Sequence, residues 1–334
     1  MPGGRISTYV WPVVGILAVI FSGWLLYRQV RGISLHEVVD SLIAIDTHHW
    51  LLAGVFTLVA YAALAGYDRI ALNHLGHKIS WVFITLCSFT TYALSHNIGM
   101  SVMSGTVVRY RAYTSRGLSA TEVCLMVAFC TFTFGLGTVT AGAVVLTVEP
   151  ELAQRFFPDI SEHFPRGIGL CMLAGVGVYV IASWLDLKPL RIRGRTLYYP
   201  SLPIVAQQLA VGPVELIGAA GIIYIALPEA SNPGFIVVLG IFLVSFSAAL
   251  LSHAPGGLGV LEFVFVTALP DVPPADVLAA LLVFRLFYLL IPLALALVVV
   301  LIFERDQFMQ KVRKTVLRHD PSAALTRTGG EPPT

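Results

Sequence analysis

The chain has 334 residues, of which 57% are hydrophobic and 12% are charged, and its mean hydropathy is +0.81. A soluble domain carries about a quarter charged residues, so this composition excludes a soluble enzyme with a single anchor and indicates a polytopic membrane protein. The formal net charge of +2 says little by itself. The four cysteines lie in apolar stretches, where we expect them to pack as small hydrophobic residues. We therefore predict no disulfide, no metal and no cofactor.

Apolar segments of about 17–25 residues can cross a bilayer as helices. Six segments of this kind predict six full spans, at residues 11–27, 49–66, 123–148, 167–185, 203–227 and 276–303. We interpret the first as a helix and not a signal peptide, because it lacks an Ala-x-Ala cleavage pattern and is followed by Arg28 and Arg31. Two further apolar segments, 81–108 and 234–269, are interrupted by polar, glycine-bearing sequence. Each is predicted to form a re-entrant, broken helical hairpin.

The two interrupted segments share a similar nine-residue stretch. Residues 88–96 read Ser-Phe-Thr-Thr-Tyr-Ala-Leu-Ser-His, and residues 245–253 read Ser-Phe-Ser-Ala-Ala-Leu-Leu-Ser-His. The alternative is that such residues recur by chance in apolar helices, but the shared Ser-His stands at the break in both. Paired interruptions of this kind point to a transporter-type site at the bilayer midplane. We predict repeat halves at about 10–148 and 167–303, and a basic, then disordered cytoplasmic tail at 306–334.

The distribution of positive charge predicts the orientation. If both interrupted segments are hairpins, 16 of the 21 Lys and Arg residues lie on one side of the membrane, together with both termini. Positive charge marks the cytoplasmic side, so the termini are predicted to be cytoplasmic and the 149–166 loop to lie outside. Each half then makes an odd number of crossings. The second half is therefore inverted relative to the first, which predicts an inverted-topology repeat in an all-α fold.

Ionisable residues inside the spans are costly and are functional candidates by default. Glu262 follows the Pro255–Gly259 turn, Arg285 lies in the last span, and Glu215 lies in the middle of 203–227. Two interpretations of Glu262 and Arg285 stay open. The pair either lines a cavity for a charged headgroup or only fixes helix packing.

The breaks themselves supply further candidates. His96 and Asn97 stand at the first break and His253 at the second, and each histidine is either a ligand-binding or a packing residue. Arg109 and Arg111 lie at the end of the first hairpin. They are either a phosphate clamp, since guanidinium groups bind phosphate in a bidentate way, or simple cytoplasmic anchors.

Motifs in both halves resemble the lysylphosphatidylglycerol synthase transmembrane (flippase) family, which includes the membrane half of the multiple peptide resistance factor and stand-alone inner-membrane relatives. The similar segments are Tyr67–Leu72, Asn97–Tyr113 and Pro255–Glu262, followed by Arg285, Tyr288 and Pro292. The resemblance implies movement of aminoacylated phospholipid between leaflets of the bacterial inner membrane, and it adds Tyr288 to the predicted lipid-binding residues. The chain stops about 30 residues after its last span, so we expect no aminoacyl-transferase activity.

Three functions stay open at this point. The first is a lipid flippase or transporter whose partner is an anionic or aminoacylated phospholipid or another lipid. The second is an ion-coupled transporter of a small solute. The third is a non-catalytic membrane partner of a separate lipid-modifying enzyme. Homodimerisation is left open, and no nucleic-acid partner is expected.

Overall fold

The computed structural model describes residues 34–98, 101–185, 190–192, 195–197 and 199–302. This part is almost entirely helical, with α1 (Leu35–Ile43), α2 (Thr47–His74), α3 (Trp81–Ile98), α4 (Ser101–Thr114), α5 (Ala120–Val148), α6 (His163–Trp184), α7 (Leu202–Ala226), α8 (Phe235–Ser252), α9 (Val260–Ala268) and α10 (Pro274–Phe284). Short 3₁₀ turns occupy Pro150–Arg155, Glu229–Ser231 and Pro255–Gly257. The predicted span at 11–27 and the predicted tail at 306–334 lie outside the described residues.

The predicted all-helical, polytopic membrane fold is confirmed. Six described helices are long and apolar enough to cross a membrane: Thr47–His74, Ala120–Val148, His163–Trp184, Leu202–Ala226, Phe235–Ser252 and Pro274–Ile302. Five of them coincide with predicted full spans, and the sixth, Phe235–Ser252, is the first arm of the predicted second hairpin. Large apolar side chains such as Val178 and Leu251 are exposed on their surface, as a lipid-facing bundle requires.

One short sheet departs from the purely helical expectation. Strands β1 (Leu190–Ile192) and β2 (Arg195–Leu197) pair antiparallel, with Leu190 opposite Leu197. They lie in the basic loop between α6 and α7. Apolar and polar residues alternate in β1, as in a strand, whereas β2 reads Arg195-Thr196-Leu197.

The first interrupted segment folds back on itself as a helical hairpin. A Cβ placed on Gly105 of α4 would lie 2.7 Å from Ser95 Oγ and 3.1 Å from Thr91 Cγ2 of α3. Further along, the guanidinium of Arg109 lies 4.7 Å from the ring centre of Tyr92. Gly105 therefore faces Ser95, and Arg109, later on α4, faces Tyr92, which is earlier on α3. The two helices run antiparallel and are in close contact.

The second interrupted segment breaks at a residue with unusual backbone geometry. His253 ends α8 in the left-handed conformation, with φ 56°, and it is the one non-glycine residue with positive φ in the described part. The 3₁₀ turn Pro255–Gly257 follows, and α9 then packs against α8. Such strain persists where the surrounding structure over-determines it, often at functional sites.

Helices α2 and α7 form the centre of the bundle and pack against each other over much of their length. A Cβ on Gly218 of α7 would meet Ala60 of α2 at 2.9 Å, so the two backbones approach closely there. Gly137 of α5 and Gly212 of α7 meet in the same way. Small residues allow this close packing in lipid, where apolar burial does not itself drive helices together.

The last span, Pro274–Ile302, contains a π-helical turn at Arg285–Leu290. Two carbonyls of this turn accept hydrogen bonds from the first half of the chain. The hydroxyl of Tyr61 donates to Tyr288 O at 3.0 Å, and the amide of Asn97 donates to Leu289 O at 3.1 Å. Turns of this kind often occur at functional sites.

The order of elements is similar in the two halves. A long helix (α2 or α7) is followed by a broken pair (α3–α4 or α8–α9) and then by another long helix (α5, or α10 with its continuation). The inverted two-fold relation between these halves stays a prediction.

Candidate functional site

A cavity of about 340 Å³ lies where the two broken segments meet. Polar residues of its lining come from α3, α4, α5, α7 and the break after α8, and they include Tyr92, Ser95, His96, Arg109, Thr131, Glu215 and His253. Apolar side chains such as Phe134, Phe246 and Leu250 complete the wall. The volume lies in the range of about 300–1,000 Å³ typical of small-molecule sites. We call this the central cavity.

Arg109 is held on one side of the central cavity by a buried carboxylate. Its Nη2 lies 2.7 Å from Asp68 Oδ1, and its Nε donates to the same oxygen at 3.2 Å. Tyr113 donates to Asp68 Oδ2 at 2.9 Å, and the thiol of Cys130 lies 3.6 Å from Oδ1. The side chains of Arg109 and Asp68 are only 6% and 0% exposed. The pair is electrically neutral, yet it places a guanidinium in the cavity wall.

Glu215 lies on α7, two residues after Pro213, and is 1% exposed. The hydroxyl of Tyr288 donates to its Oε1. Its Oε2 is buried and has no hydrogen-bond partner in the described part of the chain. One oxygen of this carboxylate is therefore available to the contents of the central cavity.

The two histidines at the breaks, His96 and His253, both line the central cavity. The ring of His96 stacks on Tyr288 with centroids 5.3 Å apart, and its Nδ1 is buried without a partner among the described residues. The Nδ1 of His253 lies 2.9 Å from Leu251 O. The two breaks, 157 residues apart in sequence, thus border one space.

Glu262 and Arg285 form an ion pair beside the second break. Arg285 Nε donates to Glu262 Oε1 at 2.8 Å, and each side chain is 12% exposed. Arg285 Nη1 also donates to Gly256 O at 2.9 Å, and Gly259 N–H donates to Glu262 Oε2 at 2.9 Å. Neither residue is part of the described cavity lining. The pair holds the turn whose glycines, Gly256 and Gly257, do line it.

The remaining predicted residues lie around this centre. The side-chain amide of Asn97 on α3 donates a hydrogen bond to Leu289 O in the π turn. Tyr288 is buried, its ring stacks on His96, and its hydroxyl donates to Glu215. Arg111 is exposed near the end of α4, and the described cavity lining does not include it. The geometry separates Arg109 from Arg111, although sequence reasoning treated them as one pair.

Sequence reasoning missed Asp68 as a site residue. The signal was available, because an aspartate flanked by apolar helix is a functional candidate. It also missed Tyr92 and Ser95, whose roles depend on the helical crossing. A separate exposed group, Asp46, His48 and His49, has ligand atoms within 4.8 Å of one another at the start of α2, which the metal-free expectation did not foresee.

The chain is similar to several known proteins. Residues 15–296 match the family model described as lysylphosphatidylglycerol synthase TM region. An uncharacterized protein of Synechocystis is 36% identical over 256 residues, which covers 73% of this chain and 77% of that protein. The inner membrane protein YbhN of Escherichia coli is 31% identical over 259 residues, with 76% and 80% covered. A phosphatidylglycerol lysyltransferase of Staphylococcus haemolyticus is 24% identical over 301 residues, or 88% of this chain and 34% of the enzyme.

Proposed function

Because the chain belongs to the lysylphosphatidylglycerol synthase TM region family, as its motifs predict, we propose that it is a lipid flippase or lipid-transport protein. The central cavity binds the headgroup of a phospholipid or lipid-linked substrate, while the acyl chains remain in the surrounding lipid. Its role is transport and not catalysis. By analogy with the inner membrane protein of Escherichia coli, it acts in a bacterial inner membrane.

One observation carries this proposal: both broken segments contribute polar groups to a single cavity inside a bundle of membrane-length helices. Non-helical backbone at membrane depth is tolerated only where protein or a water-filled space satisfies it. Arg109 offers a guanidinium to a headgroup phosphate, and the apolar remainder of the wall suits the glycerol and upper acyl region.

The test is a leaflet-exposure assay with purified protein in liposomes. Fluorescent phosphatidylglycerol is placed in both leaflets, and a reductant that cannot cross the membrane quenches the outer leaflet. The protein is expected to accelerate loss of the protected inner-leaflet signal. Phosphatidylcholine with the same label reports the headgroup preference.

Two neighbouring leucines give a matched pair of variants. Leu250 lines the central cavity, whereas Leu251 is 77% exposed on the outside of the bundle. Leu250→Trp should fill the cavity and remove most of the acceleration, and Leu251→Trp should retain it. Full activity of a folded Leu250→Trp protein would show that lipid does not pass through this cavity. Failure of the unaltered protein to move any headgroup class would refute the function.

We propose further that both termini are cytoplasmic and that the 149–166 loop is external, because this arrangement collects the Lys and Arg residues on one side. Ser161→Cys should react with a membrane-impermeant maleimide added to intact cells. The unsubstituted protein is the control, since Cys124 and Cys171 are exposed on the bundle surface. Labelling of Ser161→Cys only after the cells are opened would reverse the orientation.

A further inference from the structure

Glu215 is the unmatched charge of the site. In the described part of the bundle, Arg109 is paired with Asp68 and Arg285 is paired with Glu262, while no Lys or Arg pairs with Glu215. As a carboxylate it would give this neighbourhood a net charge of −1. An unpaired carboxylate out of water is strongly unfavourable, and such a group is relieved by taking up a proton.

Within the described part of the chain, the surroundings of Glu215 supply hydrogen-bonding groups and no Lys or Arg without an ion-pair partner. Among the described residues, the titratable or charged groups that face it from the packed elements are Tyr61 and Tyr67 on α2, Tyr92 and His96 on α3, Arg109 on α4, Cys130 on α5 and Tyr288 in the π turn. His253 borders the same cavity from the second break.

Several buried polar atoms of the residues around Glu215 lack hydrogen-bond partners within the described part of the chain. Glu215 Oε2, Tyr67 Oη and His96 Nδ1 are buried and lack hydrogen-bond partners among the described residues. Tyr288 joins two of these groups, since its hydroxyl donates to Glu215 and its ring stacks on His96. A carboxylate oxygen and an imidazole nitrogen, both able to accept a proton, therefore lie around one phenol.

We propose that Glu215 is a proton-binding site whose occupancy is coupled to binding of an anionic headgroup in the central cavity. This inference rests on the proposed function. A proton that binds the free lone pair of Oε2 turns the carboxylate into a neutral acid, and no other bond changes. The cavity then presents Arg109 without an opposing unpaired charge, so an anionic phosphate enters more readily.

The coupling is reciprocal. If a proton on Glu215 strengthens binding of the headgroup, the bound headgroup strengthens binding of the proton by the same factor. Proton and anionic lipid therefore occupy the cavity together and move in the same direction. A pH difference across the membrane then drives the lipid from the leaflet on the more acidic side to the leaflet on the more alkaline side.

Isothermal titration calorimetry tests this on the whole protein in detergent, with dioctanoyl phosphatidylglycerol as the probe. Titration in two buffers of different ionisation enthalpy reports the number of protons taken up on binding. The unaltered protein should take up close to one proton in the pH range where Glu215 titrates. Over the same range its affinity should fall about tenfold per pH unit, because this slope equals the number of protons taken up. Dioctanoyl phosphatidylcholine, which is zwitterionic, should show much smaller uptake.

Three variants sharpen the result. Glu215→Gln keeps an acceptor for Tyr288 and should bind phosphatidylglycerol without proton uptake and with an affinity independent of pH. Glu151→Gln removes an exposed carboxylate on the 3₁₀ turn after α5 and should behave like the unaltered protein. The hydroxyl of Tyr288 donates to Glu215 and so stabilises its charged form. Tyr288→Phe removes this hydrogen bond, so the midpoint of the pH dependence of binding should rise by about one pH unit.

Each calorimetry result either supports or overturns the proposed coupling. Binding without proton uptake by the unaltered protein, or undiminished uptake by Glu215→Gln, would overturn the coupling and leave the headgroup site standing. So would an affinity that follows sodium concentration at fixed pH. If no variant binds phosphatidylglycerol at any pH, the headgroup site falls and the coupling falls with it. If Glu215→Gln does not fold, Tyr288→Phe provides the test. A midpoint for the pH dependence of binding that is the same in Tyr288→Phe as in the unaltered protein would also overturn the coupling.

Discussion

The two broken segments each hold one ion pair, but they build it in opposite ways. In the first, the hairpin supplies the cation, Arg109, and the preceding span supplies the anion, Asp68. In the second, the hairpin supplies the anion, Glu262, and the following span supplies the cation, Arg285. The first pair is essentially inaccessible, and its hydrogen-bond partners among the described residues are side chains. The second pair is partly exposed and binds backbone groups at Gly256 and Gly259.

The difference shows two solutions to one physical problem. Backbone at a break in a membrane needs polar partners that lipid cannot give. The second pair provides them directly and so acts as a brace for the turn. The first pair instead fixes how α4 lies against α2, and it leaves part of the guanidinium in the wall of the central cavity. We therefore expect the first pair to matter more for folding and the second to matter more for the shape of the cavity.

The largest effect should come from breaking the first pair. Asp68→Asn or Arg109→Gln leaves a buried charge without its partner, which costs about 3–5 kcal/mol. Denaturant-induced unfolding in detergent micelles measures the loss. The double variant Asp68→Asn/Arg109→Gln should be less destabilised than either single variant, because no lone charge is left. A double variant as unstable as the sum of the two would mean that the residues do not act as a pair.

The second pair should show a smaller loss of stability and a clear loss of transport. Arg285→Gln or Glu262→Gln removes charged hydrogen bonds worth about 1.5–3 kcal/mol at sites that retain some access to solvent. Each should stop lipid transport while most of the protein stays folded. The double variant should regain stability but remain inactive if the pair shapes the cavity. Recovery of transport in the double variant would assign the pair a packing role alone.

The contrast also explains what the sequence could and could not predict. The apolar segment lengths predicted the spans, and the Ser-His repeat located both breaks, because these depend on local composition. The pairing of Arg109 with Asp68 depends on how α4 crosses α2, 41 residues earlier. No local pattern encodes that crossing, so Arg109 was instead grouped with its neighbour Arg111, which turns outward.

The sequence predicted where the helices break better than it predicted which side chains line the cavity. Glu262 and Arg285 were correctly singled out as ionisable residues in apolar sequence, but the structure directs both toward the turn beside the cavity. Whether an intramembrane charge faces a cavity or a backbone group depends on helix rotation. Rotation is set by contacts between helices that are distant in sequence, and a local sequence pattern does not specify these contacts.

The close crossing inside the first hairpin gives a third prediction. Gly105→Ala would place a methyl group 2.7 Å from Ser95 Oγ, so α3 and α4 must separate, at a cost of about 1–3 kcal/mol. Gly175→Ala on α6 is the control, because nothing lies within 4 Å of its Cβ position. It should be neutral or slightly stabilising, since alanine is the better helix former. Equal melting temperatures for the two variants would show that the first hairpin is looser than its geometry indicates.

The smallest effect concerns the link between the two halves at the π turn. Tyr61→Phe removes one hydroxyl and leaves Tyr288 O without its donor, which should cost about 0.5–1.5 kcal/mol. Tyr224→Phe is the matched control, because its hydroxyl makes no hydrogen bond within the described residues, and it should change the stability by less than about 0.5 kcal/mol. Tyr288 also donates to Glu215, so a shift of the π turn in Tyr61→Phe should alter the pH dependence of phosphatidylglycerol binding as well as stability. An unchanged pH profile together with the loss of stability would show that the carbonyl bond only holds α2 against the last span. A change in both would connect α2 to the carboxylate of Glu215 on α7 through the π turn, which starts at Arg285.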